Sequence, residues 1–552
     1  MIMNVSIDQS ELEFDQIEQG RAFTRLLKRG SWAALLVAAL FQMIFYPTLI
    51  NAIVICAVAF AWFTFTSIFL RQEILRNYTL STFLIFGFSS TQFLFPLLFS
   101  SLENKPVTYN LEYPELVFLH SLLTLFVLVI AHAIYRSLSH ISYNRSFSLM
   151  GKVGFYTPPS DLQLWMMGLI GLASTYYAYF LSPEVGRSVT GDPIDKLIQG
   201  LMPFSYAPYF ILCGELYGRK GRSATHSMLT LSAFTLALFA LSIGRSSTGA
   251  FMFGFTSLAF SYLVGSLLGI FTPKFFTFRN LILGMAGIYL LVGPLADLRT
   301  AMVIVRDEKT DITAEQLIKR TFETFDDKEA LRSRERADRG EELIDFDWDE
   351  RYLDNVFTAR FANVKFNDLS LERAQWIGEY NPDMQEFAYS YLIGILPDPI
   401  IRFFNFDVDK EIAYGMSTGD FLYMTAGGYG ATGGYRVGHF SGTGMATFGW
   451  WYLAILGVGM MPIFFLFDKF QQKKLVGGEP GTNSTHKIIK FSLCGLLAMT
   501  TIFQFLPNES IIQVGTYIIR GWIQLAILYL VIFHLTRAVT AFSVKRFRWG
   551  TS

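Results

Sequence analysis

Residues 115–135 read ELVFLHSLLTLFVLVIAHAIY. After the opening glutamate no charged side chain appears through Tyr135. At about 1.5 Å of rise per residue, some 20 helical residues match a hydrocarbon core of roughly 30 Å. The stretch therefore reads as a membrane-crossing helix. Comparable runs recur on both sides of it, at 31–46, 52–70, 79–100, 162–182, 200–216, 227–243, 248–270, 280–297, 444–467, 488–506 and 511–535. The first two are short and meet at a turn near Pro47. This predicts an all-α polytopic membrane protein of about 12 transmembrane helices. A β-barrel would show short alternating segments instead.

Composition agrees. Apolar residues make up 52% of the chain, with 54 Phe, and charged residues only 16%. Mean hydropathy is +0.36. A soluble domain carries about a quarter charged residues. Some 30 largely polar residues precede the first apolar run, so no signal peptide is expected. Cys56, Cys213 and Cys494 all fall in apolar runs without a CxxC, which argues for packing rather than disulfides or thiolate zinc.

Lysines and arginines orient the chain. With the N-terminus inside, cytoplasmic segments and helix ends hold 23 of them, and the short external loops hold only Lys105, Arg187, Lys196 and Arg245. That is the positive-inside asymmetry, and it puts both termini in the cytoplasm. The expected layout is a cytoplasmic segment 1–30, nine helices over 31–297, a large external loop 298–443, three helices over 444–535 and a cytoplasmic tail 536–552.

The stretch 298–440 holds 17 basic and 27 acidic residues, a net charge of −10. An acidic face does not suit nucleic acid. Aromatics run through it, as in FDWDERYLDNVF (346–357), which disordered segments lack. Residues 312–338 read as a charged amphipathic helix carrying Leu317, Ile318, Phe322 and Phe325 on one face. EFAYSYLIGILPDPI (386–400) reads as a second helix ended by Pro397 and Pro399. No internal repeat is evident.

Several chemistries lack their motifs. The chain has no GxxxxGK[ST] for a P-loop and no HExxH for a zinc protease, and its long loop has no GxSxG. What the loop does carry is GGYGATGGYRVGHFSGTG (427–444), with eight glycines around Arg436 and His439. Glycines let backbone N–H groups converge on an anion, so a phosphate or a sugar could be held there. A close-packed turn against the next helix is the other reading.

His439 is the one histidine of the loop, and an imidazole suits general-base work near neutral pH. A hydrogen-bonded structural imidazole is equally open. Arg245, in the turn IGRSSTG, and Arg520, in GTYIIRGWI, stand near or within apolar runs, where arginines mark functional sites unless they snorkel or pair. Arg520 needs an internal partner, with Glu509 or the polar end of 488–506 as candidates. Arg402 with Lys410, in LPDPIIRFFNFDVDK, and Arg360, in DNVFTARFANVKF, offer guanidinium groups that clamp diphosphates, or ordinary ion pairs in an acidic loop.

Three of these pieces resemble a family. GRSSTGAF (244–251) resembles the arginine-bearing turn of Wzy-type polymerases, which join lipid-linked oligosaccharide repeat units. LPDPIIRFF…K resembles their Pro–Arg loop motif, with two isoleucines between Pro399 and Arg402 as a departure. GTGMATFGWWYLAILGVGMMPIFF (442–465) is similar to their small-residue segment running into Phe-Gly and an apolar helix. The related O-antigen ligases place a His in the loop shortly before a Gly-bearing helix; His439 stands ten residues before Gly449, but Phe440 follows it where ligases usually have Asn.

The resemblance implies a GT-C-type membrane glycosyltransferase at the periplasmic face of a bacterial inner membrane. It would polymerise polyprenyl-diphosphate-linked oligosaccharides with inversion, without metal or other cofactor. His439 would be the catalytic base, although a loop carboxylate would also serve. Arg245, Arg402, Arg436, Arg360, Lys410 and Arg520 would bind the diphosphate and the substrate. Tyr414, Tyr423, Tyr429 and Tyr435 could stack on sugars. A chain-length regulator and a flippase are the implied protein partners. A ligase and a polysaccharide transporter are the competing functions.

Overall fold

The computed structural model describes residues 9–139, 149–181, 193–219, 225–244, 248–272, 282, 294–305, 314–338, 348–396, 398–408, 410, 415–429, 436–477, 485–506 and 510–549. Helices dominate it. Six described helices are long and apolar enough to cross a membrane: Phe14–Phe45, Leu49–Ile68, Thr79–Leu102, Pro114–Leu138, Trp451–Asp468 and Ile512–Ala541. Shorter apolar helices cover Leu229–Ile243 and Gly254–Leu267. The chain is a multi-pass membrane protein. Large side chains such as Val37, Ile53, Ile130 and Val531 face outward, where a bilayer rather than water suits them.

Local signals set several helix ends. Thr48 accepts a hydrogen bond from Asn51 N and starts Leu49–Ile68. Ser160 and Gln163 form a capping box at the head of Asp161–Tyr176. Pro114 occupies the first turn of Pro114–Leu138, where its missing N–H costs nothing.

Four expectations need correction. The first helix begins at Gln9, well inside the segment 1–30 expected to precede it. Residues 444–467 are not one helix: Phe440–Phe448 ends at Gly449 and Trp451–Asp468 follows. Gly449 has φ +53° and ψ −149°, and a Cβ there would meet the Tyr380 ring at 2.6 Å. Only glycine accepts that conformation readily. Residues 488–506 are not a single helix either. They begin in a strand and continue as two short helices, Leu493–Leu497 and Met499–Phe503. Both are wrapped in protein, which is the setting where broken backbone is tolerated at membrane depth. Finally, the fold is not wholly helical: Gln471–Gly477 pairs antiparallel with Thr485–Phe491.

The expected helix at 200–216 appears as a 3-10 segment, Met202–Tyr217, which contains Pro208 and is kinked at Cys213. The expected span 280–297 falls largely outside the described residues, and helix Pro294–Ile304 follows it.

Two polar layers close the ends of the bundle. At one, half-buried Asp468 accepts from Leu80 N, Ser81 N, Ser81 Oγ and Tyr135 Oη at 2.7–3.2 Å. Gln471 reaches Arg76 O there, at 3.2 Å. At the other end, the loop after Thr79–Leu102 is stitched to the long polar region. Tyr352 Oη donates to Val107 O at 2.8 Å, and Lys105 pairs with Asp354 at 2.7 Å. Buried Asp368 accepts from Glu112 N, Tyr113 N and Lys365 Nζ at 2.8–3.0 Å.

The amphipathic stretch 312–338 is helical as expected but divided. Ala314–Asp326 and Lys328–Asp338 flank Asp327, whose carboxylate caps Glu329 N and Ala330 N. Leu317 is buried, and Ile318 and Phe325 pack on Ile243, Leu298 and Met302, while Phe322 stays exposed. The second expected helix runs Pro382–Ile393, capped by Asn381.

Candidate functional site

Helix Val364–Ile377 organises the polar domain. Its sequence, VKFNDLSLERAQWI, is rich in polar residues, yet Lys365, Asn367, Asp368, Ser370 and Arg373 are all buried. Buried polar groups need partners. One end of the helix finds them in the membrane helices and in Ser441, and at the other Arg373 stacks on aromatic rings.

Toward the membrane, five side chains close a ring. Gln92 Nε2 lies 3.1 Å from His439 Nε2, and His439 Nδ1 lies 2.7 Å from Ser441 Oγ. Ser441 Oγ donates to Asn367 Oδ1, and Asn367 Nδ2 donates to Ser121 Oγ at 3.2 Å. Ser121 Oγ donates back to Gln92 Oε1 at 3.4 Å. One arrangement of protons satisfies every link: Gln92 donates to Nε2, and the proton of a neutral His439 sits on Nδ1 and goes to Ser441. Donors then point the same way round the ring, which strengthens each bond. Gln92 lies in a π-helical turn, Ser90–Leu94, and such turns are frequent at functional sites.

His439 is fully buried, and burial pushes its imidazolium down to about 3. It is neutral at any physiological pH. Of the two readings open from the sequence, a general base and a hydrogen-bonded structural imidazole, the geometry matches the second, inside the joint between polar domain and membrane helices.

At the other end of Val364–Ile377 two arginines meet one aromatic ring. The Arg436 guanidinium lies 4.0 Å from the Tyr423 ring centroid, and Arg373 lies 5.6 Å from the same centroid and 3.9 Å from that of Trp376. Stacking on an aromatic face attracts a guanidinium electrostatically. Trp348 packs edge-on against Tyr423 at 5.7 Å. Asp420, fully buried, accepts from Arg436 N and Nη1, both at 3.1 Å.

Glu350 borders the same group. Its carboxylate accepts from Trp348 Nε1 at 2.8 Å. Desolvation raises its carboxyl above the usual range, against the pull of Trp348, Val437 N and Arg436. Chemically, the cluster brings guanidinium groups, aromatic faces and carboxyls together. It has two cations, aromatic faces and a carboxyl whose proton affinity is raised. No group of three or more metal-ligating side chains occurs among the described residues.

The remaining candidates scatter. Arg245 and Tyr414, Tyr435 and Glu509 lie outside the described residues. Arg402 is exposed on the short helix Asp398–Phe403, beside exposed Phe403 and Phe404. Lys410 donates to Leu396 O at 3.1 Å. Arg360 is exposed, and its carbonyl accepts from Gln504 at 3.4 Å. Arg520 sits in a second π-helical turn, Tyr517–Gly521, and its Nε donates to Gln524 at 2.9 Å. Tyr429 is 93% exposed. Of the expected set, Arg436 alone among the described residues joins a cationic cluster.

Sequence reasoning missed Gln92, Ser121, Asn367, Arg373, Asp420 and Ser441. Gln92 had a signal, an amide amid FSSTQFLF (88–95), where hydrocarbon would leave it unsatisfied. Arg373 had none, because a charged helix reads as a solvated one. No family model, no curated protein and no solved structure matches this chain.

Proposed function

We propose that the protein is a membrane glycosyltransferase that polymerises polyprenyl-diphosphate-linked oligosaccharide repeat units at the outer face of the cytoplasmic membrane. The observation that carries the reading is the pair Arg373 and Arg436 on the Tyr423 ring, beside Glu350. The reading takes the chain to cross the bilayer about twelve times, with both termini inside and the polar domain outside. A chain-length regulator and a flippase are its expected partners.

In this account the guanidinium groups of Arg436 and Arg373 take the charge that develops on the leaving diphosphate. The acceptor sugar hydroxyl attacks the anomeric carbon from the opposite side, the bond to the diphosphate oxygen breaks, and the configuration inverts. The hydroxyl proton passes to Glu350. A raised carboxyl is a better base than an ordinary one, and this assignment replaces His439, which has no open face. His439 instead positions the segment that carries Arg436, three residues away.

The test is transfer by purified protein supplied with a synthetic polyprenyl-diphosphate repeat unit, with no nucleotide present. Glu350→Gln should abolish transfer without disturbing folding. Arg436→Ala should abolish it too, at a cost in stability because buried Asp420 loses its counterion, so its fold is checked by melting. Wild-type transfer to lipid A in one step, with no chain growth, would establish a ligase instead. Lipid flipping in liposomes with no transfer would establish a transporter.

A further inference from the structure

A cavity of about 240 Å³ lies within the membrane domain, away from the arginine cluster. At roughly 30 Å³ per water it holds on the order of eight waters. Its polar wall is made of Gln199 and the hydroxyls of Thr175, Ser205, Ser242, Ser257, Thr500 and Thr501. Among the described residues no charged side chain lines it. Two irregular segments line it: the 3-10 segment Met202–Tyr217, and the pair of short helices broken at Ala498. Irregular backbone at membrane depth occurs where it is buried or lines a polar cavity, and broken helices often build binding sites there.

The hydroxyl protons decide what this wall can bind. Thr175 spends its proton on Gly171 O at 2.8 Å, and Ser205 on Met202 O at 2.7 Å. Ser257, Thr500 and Thr256 bond one another at 2.7–2.8 Å. Each hydroxyl still has lone-pair capacity to accept. These hydroxyls thus present acceptors without charge, and the neutral Gln199 amide adds a donor and an acceptor to the same wall. Facing it are Met202, Pro203, Leu238 and the Tyr206 ring, an apolar counterpart. Gly254 makes room for that ring: a Cβ there would lie 1.8 Å from Tyr206 Cδ1.

A neutral ligand with several hydroxyl donors on one face and C–H groups on the other fits both walls. We infer that the cavity binds a single neutral pyranose ring. The depth agrees, because Ser242 adjoins Ile243, which packs on Leu298 and Met302 of the polar domain. The cavity therefore lies toward the end of the bundle that carries that domain. Gln504, one turn beyond Thr500, bonds the Arg360 carbonyl at that same end. The inference deepens the proposed function by seating one sugar of the lipid-linked glycan, and it rests on that reading only for the ligand's source.

The experiment is saturation-transfer NMR on the full chain in detergent, with methyl glycosides of glucose, galactose, mannose, rhamnose and N-acetylglucosamine as probes. At least one should receive saturation at its ring protons. Leu238→Phe, which fills the cavity, should reduce that signal at least fivefold with the melting temperature unchanged. Should that variant not fold, Thr501→Cys provides a second reading. Its modification rate by a polar thiosulfonate reagent should fall at least threefold with the binding glycoside present. Absence of signal from every probe, or signal unchanged in Leu238→Phe, overturns the inference. No glycoside signal from the wild-type protein, with its polymerisation intact, would sink this inference alone. Binding without any transfer would leave the cavity assignment standing and remove the proposed function.

Discussion

Gln92 and His439, 347 residues apart in sequence, face each other at 3.1 Å through a side-chain amide and a ring nitrogen. Through this contact the membrane helix Thr79–Leu102 fixes the segment that carries Arg436. With Ser441, Asn367 and Ser121 it forms one closed circuit, so its members should act as a unit.

Removing one member leaves the others buried with an unmet partner. Ser441→Ala and Gln92→Leu should each cost about 1–3 kcal/mol, read as a lowered melting temperature in detergent. The double variant should cost less than the sum of the two singles. Strict additivity would show that the ring is not coupled.

The ring also predicts a pH response. His439 binds a proton in the folded state only near pH 3, against about 6.5 when unfolded. The unfolded chain therefore binds more protons between these values. The stability is intact above about pH 6.5 and falls as the pH drops toward 3. At pH 5 the loss is about 2 kcal/mol. His439→Gln should remove this component of the dependence. An unchanged profile in that variant would contradict the neutral, buried assignment.

Asp368 clamps two backbone amides at the head of Pro114–Leu138 and neutralises Lys365. Asp368→Asn should cost about 3–5 kcal/mol, because it leaves a buried ammonium without its counterion. Replacing both residues, as Lys365→Met with Asp368→Leu, should recover part of that loss. Melting curves of the three proteins check it.

At the arginine cluster, Arg436→Ala should lower transfer by about 10²–10³-fold, as for loss of a preorganised donor. Arg436→Lys should recover little, since a point charge does not stack or fork as a guanidinium does. Glu350→Gln should lower transfer by about 10²–10⁴-fold and abolish the acid limb of its pH profile. That limb should lie above the range of an ordinary carboxylate, in line with the raised Glu350 carboxyl.

The membrane helices were legible because hydropathy alone decides them. Leu49–Ile68, Thr79–Leu102 and Pro114–Leu138 fall within a few residues of their expected bounds. The break at Gly449 was not legible. GMATFGWW (444–451) is uniformly small or apolar, and the turn packs against Tyr380 and Glu379, which come from the distant turn between Val364–Ile377 and Pro382–Ile393. Residues 488–506 misled for a related reason: buried short helices and a lipid-facing span share one composition. Arg436 was legible through its glycines. Arg373 became visible only when Val364–Ile377 was seen to bury its polar face.

The most direct measurement is the length distribution of glycan made by the purified protein from a synthetic polyprenyl-diphosphate repeat unit, without nucleotide. The account predicts a ladder of products rising by one repeat unit per rung, absent in Arg436→Ala. Unchanged substrate with folded wild-type protein, or an undiminished ladder in Arg436→Ala, would contradict it.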